Sequence, residues 1–393
     1  MLEMLPEAAP DKIIALMQLF REDPRDKKVD LGVGVYKDID GRTPIMRSVK
    51  AAEQKLWEIQ DSKSYVGLLG DLDFVAAMQK MVLGDAVPAQ NVAGAQTTGG
   101  TGAVRQLYEL VMLANPKATV WMSDPTWPNH PAMAKAVGLK IETYPYLDPK
   151  TLEVDFDAMM DGLNAAKAGD VVLLHGCCHN PTGANLDMAQ WEAVTELVLS
   201  KGLLPMIDFA YQGFGDGIDE DAAGVRYMAT KVPELVIAAS CSKNFGVYRD
   251  RVGSMFAITR DPAARDRTQS TFASLNRLAY SFPPDHGAKV ISLLLADDAL
   301  RADWEAELEE MRVSMRGLRE ALAEALRRET NSDRFDFIAR HRGMFSRLGL
   351  TPEQVERLRN EYGYYMIGDS RFNVAGLRAD IIEPLAKAIA AVI

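Results

Sequence analysis

The sequence predicts an α/β fold: a mostly parallel sheet sandwiched by helices, with a second, smaller α/β lobe. Short apolar runs alternate with helical patterns from about residue 45 to 295, the signature of strands crossing over through helices. The pattern then changes over residues 297–393, with a long charged helix through Arg328, short strands near 334–347 and 363–374, and a final helix from about Ala379. Low-complexity segments, repeats and long linkers are absent, so the 393 residues read as one compact unit large enough for two lobes.

In chain order, the stretch to Pro10 reads as an arm, and Asp11 as the cap of a helix over residues 12–20. Apolar runs at 118–122, 171–174, 203–209, 235–239 and 252–258 read as buried strands, each followed by turn residues. Residues that carry chemistry cluster in the loops after these runs, where a rigid sheet can position them. Thr97-Thr98-Gly99-Gly100-Thr101-Gly102 precedes a helical pattern at Val104, Leu107, Tyr108 and Val111. Small residues there let backbone amides approach an anion, although the run matches neither a dinucleotide fingerprint nor a Walker motif and also reads as a structural turn. Trp127 stands in a loop between Pro125 and Pro128, and Asp208 ends a strand with Tyr211 three positions on. Taken alone, Asp208 reads equally as an acid capping the next turn.

Lys243 is the centre of the pattern. Ser240, Ser242, Arg249 and Arg251 surround it in one loop, so an amine, hydroxyls and cations meet there, which suits a Schiff base to an aldehyde that also carries an anion. Such a lysine must be deprotonated, and desolvation and neighbouring positive charge both favour that. Ser240, Ser242 and Arg251 are candidates to hold a phosphate, the arginine in bidentate fashion.

His179-Asn180-Pro181-Thr182-Gly183 and Ser242-Lys243-Asn244-Phe245-Gly246, with Tyr248 and Arg251 following, together resemble class I aminotransferases of the aspartate and aromatic-amino-acid branch. The resemblance runs from Leu31 to Arg371. It implies the fold-type I architecture of pyridoxal 5'-phosphate (PLP) enzymes, with a large domain built on a seven-stranded, mostly parallel sheet over residues 45–296. The small domain then comprises 297–393 and part of the N-terminal segment 1–44. It implies PLP on Lys243, with Asp208 keeping the pyridine nitrogen protonated so that the ring withdraws electrons, and Tyr211 and Asn180 bonded to the ring oxygen. Trp127 stacks on the ring, Gly100, Thr101, Ser240 and Arg251 meet the phosphate, Gly34 lies by the substrate, and Arg371 clamps its α-carboxylate. Tyr65 reaches the phosphate of a neighbouring subunit and Arg277 comes from the partner to pair with a distal carboxylate, which implies a homodimer with shared sites.

Specificity is read from two departures. Strict aspartate enzymes of this branch carry asparagine two residues after that arginine and just before the Pro-Pro pair, where this chain has Ala279 and Phe282. Fewer hydrogen bonds to Arg277 and more apolar surface favour aromatic amino acids, with aspartate activity retained. A dicarboxylate-preferring aspartate aminotransferase and another fold-type I enzyme such as a β-lyase are the alternatives, and the second has no need of Arg277.

His175, Cys177, Cys178 and His179 invite a metal reading, but zinc sites normally pair ligands from two separated segments and the sequence shows no second pair, so none is expected. A net charge of -11 argues against nucleic acid or an anionic membrane as partner. Three cysteines make no disulfide framework, and with no long apolar run or signal-peptide pattern the expectation is a soluble, cytoplasmic protein.

Overall fold

The computed structural model describes residues 1–5 and 12–393; the expected cap Asp11 and the end of the N-terminal arm lie outside the described residues. The helix that follows runs Lys12–Glu22. Eleven strands appear among the described residues: β1 Val29–Asp30, β2 Val92–Thr98, β3 Thr119–Asp124, β4 Lys140–Pro145, β5 Val171–His175, β6 Leu204–Phe209, β7 Leu235–Ser240, β8 Val252–Ile258, β9 Phe345–Arg347, β10 Tyr364–Tyr365 and β11 Arg371–Asn373.

The central sheet has seven strands in the order β2-β8-β7-β6-β5-β3-β4. β8 runs against both its neighbours, and the pairs from β7 through β6, β5 and β3 to β4 are parallel. Its inner strands β5, β7 and β8 are buried on both faces because both faces are covered, while the edge strand β4 is largely exposed. Val171 and Leu173 pack into one cluster with Val104, Leu107 and Tyr108 of the helix Gly99–Ala114, while Val172 and Leu174 pack into another with Trp191 and Val194 of the helix Met188–Lys201. The alternation along each strand thus places helices on either side.

A further apolar cluster gathers Leu31, Leu322, Leu326, Phe335, Phe337, Phe372 and Ile389, with β1 paired to β10 and β9 to β11 beside it. The expected strands near 334–347 are only partly present. Residues Phe337–Arg340 form a single helical turn and only Phe345–Arg347 extends, because Phe335, Phe337 and Ile338 all turn into this one cluster rather than alternating between two faces. The final helix is Ala379–Val392.

One long helix, Asp298–Thr330, touches both regions. Near its start the indole of Trp304 donates to Asn244 O at 2.8 Å and stacks on Phe245 at 4.5 Å. Further along, the buried guanidinium of Arg319 donates to the carbonyls of Ile338, Arg342, Gly343 and Phe345 and to the Ser346 hydroxyl. A buried cation is tolerated there because its donors are met by a whole shell of oxygens.

Candidate active site

The parallel strands end at one edge of the sheet, and the loops beyond them bound a cavity of about 250 Å³. Lys243, Asp208, Tyr211, Asn180, Trp127, Gly100, Thr101, Ser240, Ser242, Arg251, Gly34 and Arg371 all line it, so twelve of the residues singled out from sequence converge. Tyr65 and Arg277 do not. They form a separate exposed group in which Tyr65 stacks on Phe282 at 4.9 Å, and the Arg277 guanidinium sits 6.0 Å from the same ring and donates to Ser281 Oγ at 2.5 Å.

The ammonium of Lys243 lies 4.8 Å above the Tyr211 ring. Burial lowers its pKa, Asp208 opposes that, and Arg251 adds to it. Arg249, an expected contributor, is exposed and does not line the cavity. Asp208 sits at the end of β6, where burial pushes its carboxyl up, but the hydrogen bond and charge of His130, with His175 and Lys243, bring it below the ordinary carboxylate range. His130 Nε2 is 2.8 Å from Asp208 Oδ2, and its Nδ1 is 2.8 Å from Thr126 Oγ1, which also lies 3.2 Å from His175 Nε2. Burial and the charge of His130 lower His175 to about 3. The chain Asp208–His130–Thr126–His175 therefore helps to keep the carboxylate ionised.

The helix Gly99–Ala114 begins at the cavity, with its first amides unpaired within the helix and its positive end inward. Gly99 has φ +72°, and a Cβ there would stand 2.8 Å from Arg251 Nη2. Glycine is thus required for Arg251 to lie across the helix start. Arg251 is held in turn by its bond to Tyr248 O at 2.9 Å. Arg371, which also lines the cavity, is buried, stacks 4.7 Å from the Phe345 ring and donates to Gly32 O at 3.2 Å. A Cβ at Gly34 would meet that same ring at 2.8 Å, so a side chain there would fill the cavity mouth.

Several cavity residues were not singled out from sequence. Tyr248 stands inside the quoted lysine motif, and its Oη accepts from Tyr36 N at 3.0 Å. Ile13 and Phe345 come from distant parts of the chain. His130 is legible only as a histidine four residues after Thr126.

The arrangement offers a desolvated amine, an ionised carboxylate, an anion cradle and a buried arginine around one space. Asn180 Oδ1 is buried without a partner inside it, and an orphaned acceptor is costly unless a ligand meets it. This donor set fits PLP: an amine for its aldehyde, a carboxylate for its ring nitrogen and a helix start with Arg251 for its phosphate.

The comparisons agree. The family model "Aminotransferase class I and II" matches residues 26–389. The chain is 56% identical to the aromatic-amino-acid aminotransferase of Paracoccus denitrificans over 389 residues, 99% of each protein. It is 44% identical to the aspartate aminotransferase of Escherichia coli (strain K12) over 396 residues, the full length of both. The solved aromatic-amino-acid aminotransferase of Burkholderia pseudomallei, described as covalently bound to pyridoxal phosphate, superposes with a TM-score of 0.97 at 42% identity, covering 100% of this chain and 99% of that one. With its cavity and its match across nearly the whole length, the chain belongs to the class I and II aminotransferase family.

Proposed function

We propose that the enzyme moves the amino group of phenylalanine, tyrosine or tryptophan, and also of aspartate, to 2-oxoglutarate by a ping-pong cycle with PLP on Lys243. The observation that carries this reading is the desolvated Lys243 amine lining one cavity with Asp208 and Arg371. PLP supplies an aldehyde that captures the amino group and a ring that takes up the electron pair of the α-carbon bond.

The chain supplies the rest. Lys243 Nζ removes the proton at the substrate's α carbon and redelivers it, a task for an amine whose proton is already weakly held. Asp208 stays ionised and holds a proton on the ring nitrogen, with His130 orienting it. With the cofactor bound, Tyr211 and Asn180 would meet its ring oxygen and Trp127 its ring face, and Gly100, Thr101, Ser240 and Arg251 would hold its phosphate. Arg371 fixes the α-carboxylate in a fork geometry, with Gly34 leaving room beside it.

Tyr65 and Arg277 act in trans in a homodimer, Tyr65 on the partner's phosphate and Arg277 on a distal carboxylate. Their exposure together, away from their own chain's cavity, supports this. Residues 45–296 form the cofactor domain, and 297–393 with part of 1–44 the smaller one. A cytoplasmic location agrees with three unpaired cysteines and with the absence, among the described residues, of a helix long and apolar enough to cross a membrane.

Aromatic preference rests on Ala279 and on Phe282 beside Arg277, and the names of the Paracoccus denitrificans and Escherichia coli relatives support aromatic and aspartate donors respectively. Steady-state kinetics with each donor tests it. Comparable kcat/KM for phenylalanine and aspartate is expected, and a thousandfold advantage for aspartate would make this a dicarboxylate enzyme instead.

A further inference from the structure

The vicinal thiols Cys177 and Cys178 do not line the cofactor cavity, and they are held, buried, against a carboxylate from another loop. One ligand atom of each of Cys177, Cys178 and Asp221 lies within 4.8 Å of the other two. Asp221 Oδ2 accepts from the amides of Gly213 and Gly215 at 2.8 and 2.9 Å, and Oδ1 from Asp216 N at 2.8 Å. The carboxylate is thereby fixed in place, and the Cys177 side chain hydrogen-bonds to it. The neighbouring histidines are committed elsewhere: His179 meets Ser123 and Thr182 through its two ring nitrogens, and His175 Nε2 meets Thr126.

Two further features bear on this trio. A second cavity, of about 200 Å³, is bordered by Cys177 and Asp221 and leaves room for water beside them. On the other side, Arg319 is buried with no carboxylate among its hydrogen-bond partners, and it is electrostatically coupled to Cys178. A buried guanidinium with only carbonyl and hydroxyl acceptors is a standing positive charge.

We propose that Cys177, Cys178 and Asp221 form a site for a thiophilic divalent cation of the zinc class, with water from the adjacent cavity as fourth ligand. Binding releases both thiol protons to solvent and forms two metal–sulfur bonds and one metal–oxygen bond. Two thiolates and a carboxylate bring three negative charges, the cation two positive, and Arg319 balances the remainder. Bonds of about 2.3 Å to sulfur and about 2.0 Å to oxygen place tetrahedral ligands roughly 3.5–3.8 Å apart, so the trio has to close by about an ångström at most. The second ligand segment that the sequence did not reveal is the Gly213–Asp221 loop.

Closure would be felt in the catalytic cavity. Asn180 lies two residues beyond Cys178, and the turn at Gly343 packs so closely on Cys178 that a Cβ there would stand 2.4 Å from the Cys178 Cβ. Phe345, two residues after that turn, is a cavity wall.

The test uses the PLP-loaded enzyme dialysed against zinc and then against metal-free buffer, with bound metal counted by mass spectrometry and its ligands read by zinc K-edge absorption. About one zinc per chain with two sulfur scatterers at about 2.3 Å is expected. The double variant Cys177→Ala/Cys178→Ala should lose it, and Cys241→Ala, which removes the remaining thiol, should keep it. No retained zinc, zinc with only nitrogen and oxygen neighbours, or full retention in the double variant would overturn the proposal. If the double variant does not fold, the wild-type absorption edge still decides.

Discussion

Gly99→Ala probes whether the start of the helix Gly99–Ala114 and Arg251 act together as an anion cradle. The substitution puts a Cβ 2.8 Å from Arg251 Nη2 and 3.1 Å from its Cζ, at a residue whose φ is +72°. The left-handed backbone costs about 1–2 kcal/mol for a residue other than glycine. To escape the contact the guanidinium has to swing off the helix start, and a charge-assisted hydrogen bond to the cofactor phosphate is lost, worth about 1.5–3 kcal/mol. The expected result is a loss of about 1–2 kcal/mol in the stability of the cofactor-free protein and a rise of roughly 10- to 150-fold in the PLP dissociation constant, at about 1.4 kcal/mol per factor of ten. Equilibrium binding measured from the cofactor's absorbance gives the second number, and denaturant titration of the cofactor-free protein gives the first. The mechanism is separated from general damage by a double-mutant cycle with Arg251→Ala. If Gly99→Ala acts by displacing the guanidinium, the double variant binds PLP no worse than Arg251→Ala alone. Wild-type affinity in Gly99→Ala, or additive losses in the double variant, would refute the reasoning.

Three other outcomes follow from the site. Lys243→Ala should lower turnover by at least about a thousandfold, the range of a positioned base and nucleophile, while circular dichroism stays that of the folded protein. Phe282→Asn with Ala279→Asn should shift the ratio of kcat/KM values toward aspartate and away from phenylalanine, measured as paired steady-state rates. His175 has its folded pKa depressed from 6.5 to about 3, so between those values the unfolded chain binds the extra proton. Stability is therefore full above about pH 6.5 and falls as pH drops, by at most about 1.4 kcal/mol per pH unit from this group. Replacing His175 with Asn should flatten that part of the urea-derived stability profile.

How much of this was readable in one dimension depends on how local each determinant is. Lys243, Asp208, Asn180 and the Gly99-Gly100 turn follow apolar strands directly, so a parallel sheet delivers them to one edge and their proximity can be anticipated. The alternation of Val171–Leu174 between two clusters follows from strand geometry alone. The contact between His130 and Asp208 joins residues far apart in sequence and depends on the order in which strands lie side by side, which no local pattern encodes. Phe345 and Ile13 close the cavity from regions whose placement rests on the packing of the smaller cluster. The strand expected over 334–340 failed for a related reason: Phe335, Phe337 and Ile338 satisfy one apolar environment, and a lone helical turn does that as well as a strand.

The helix Asp298–Thr330 has the build of a lever arm. Its fulcrum is Trp304, fastened to Asn244 and Phe245 immediately after Lys243. Its load is Arg319, which grips the backbone from Ile338 to Phe345. Fifteen residues at about 1.5 Å each separate the two, roughly 22 Å. A pivot of about 5° at the fulcrum would carry Phe345 about 2 Å across the mouth of the cavity while leaving Lys243 where it stands. Stiffness in this one element would convert a small tilt near Lys243 into a larger change in the width of the cavity mouth.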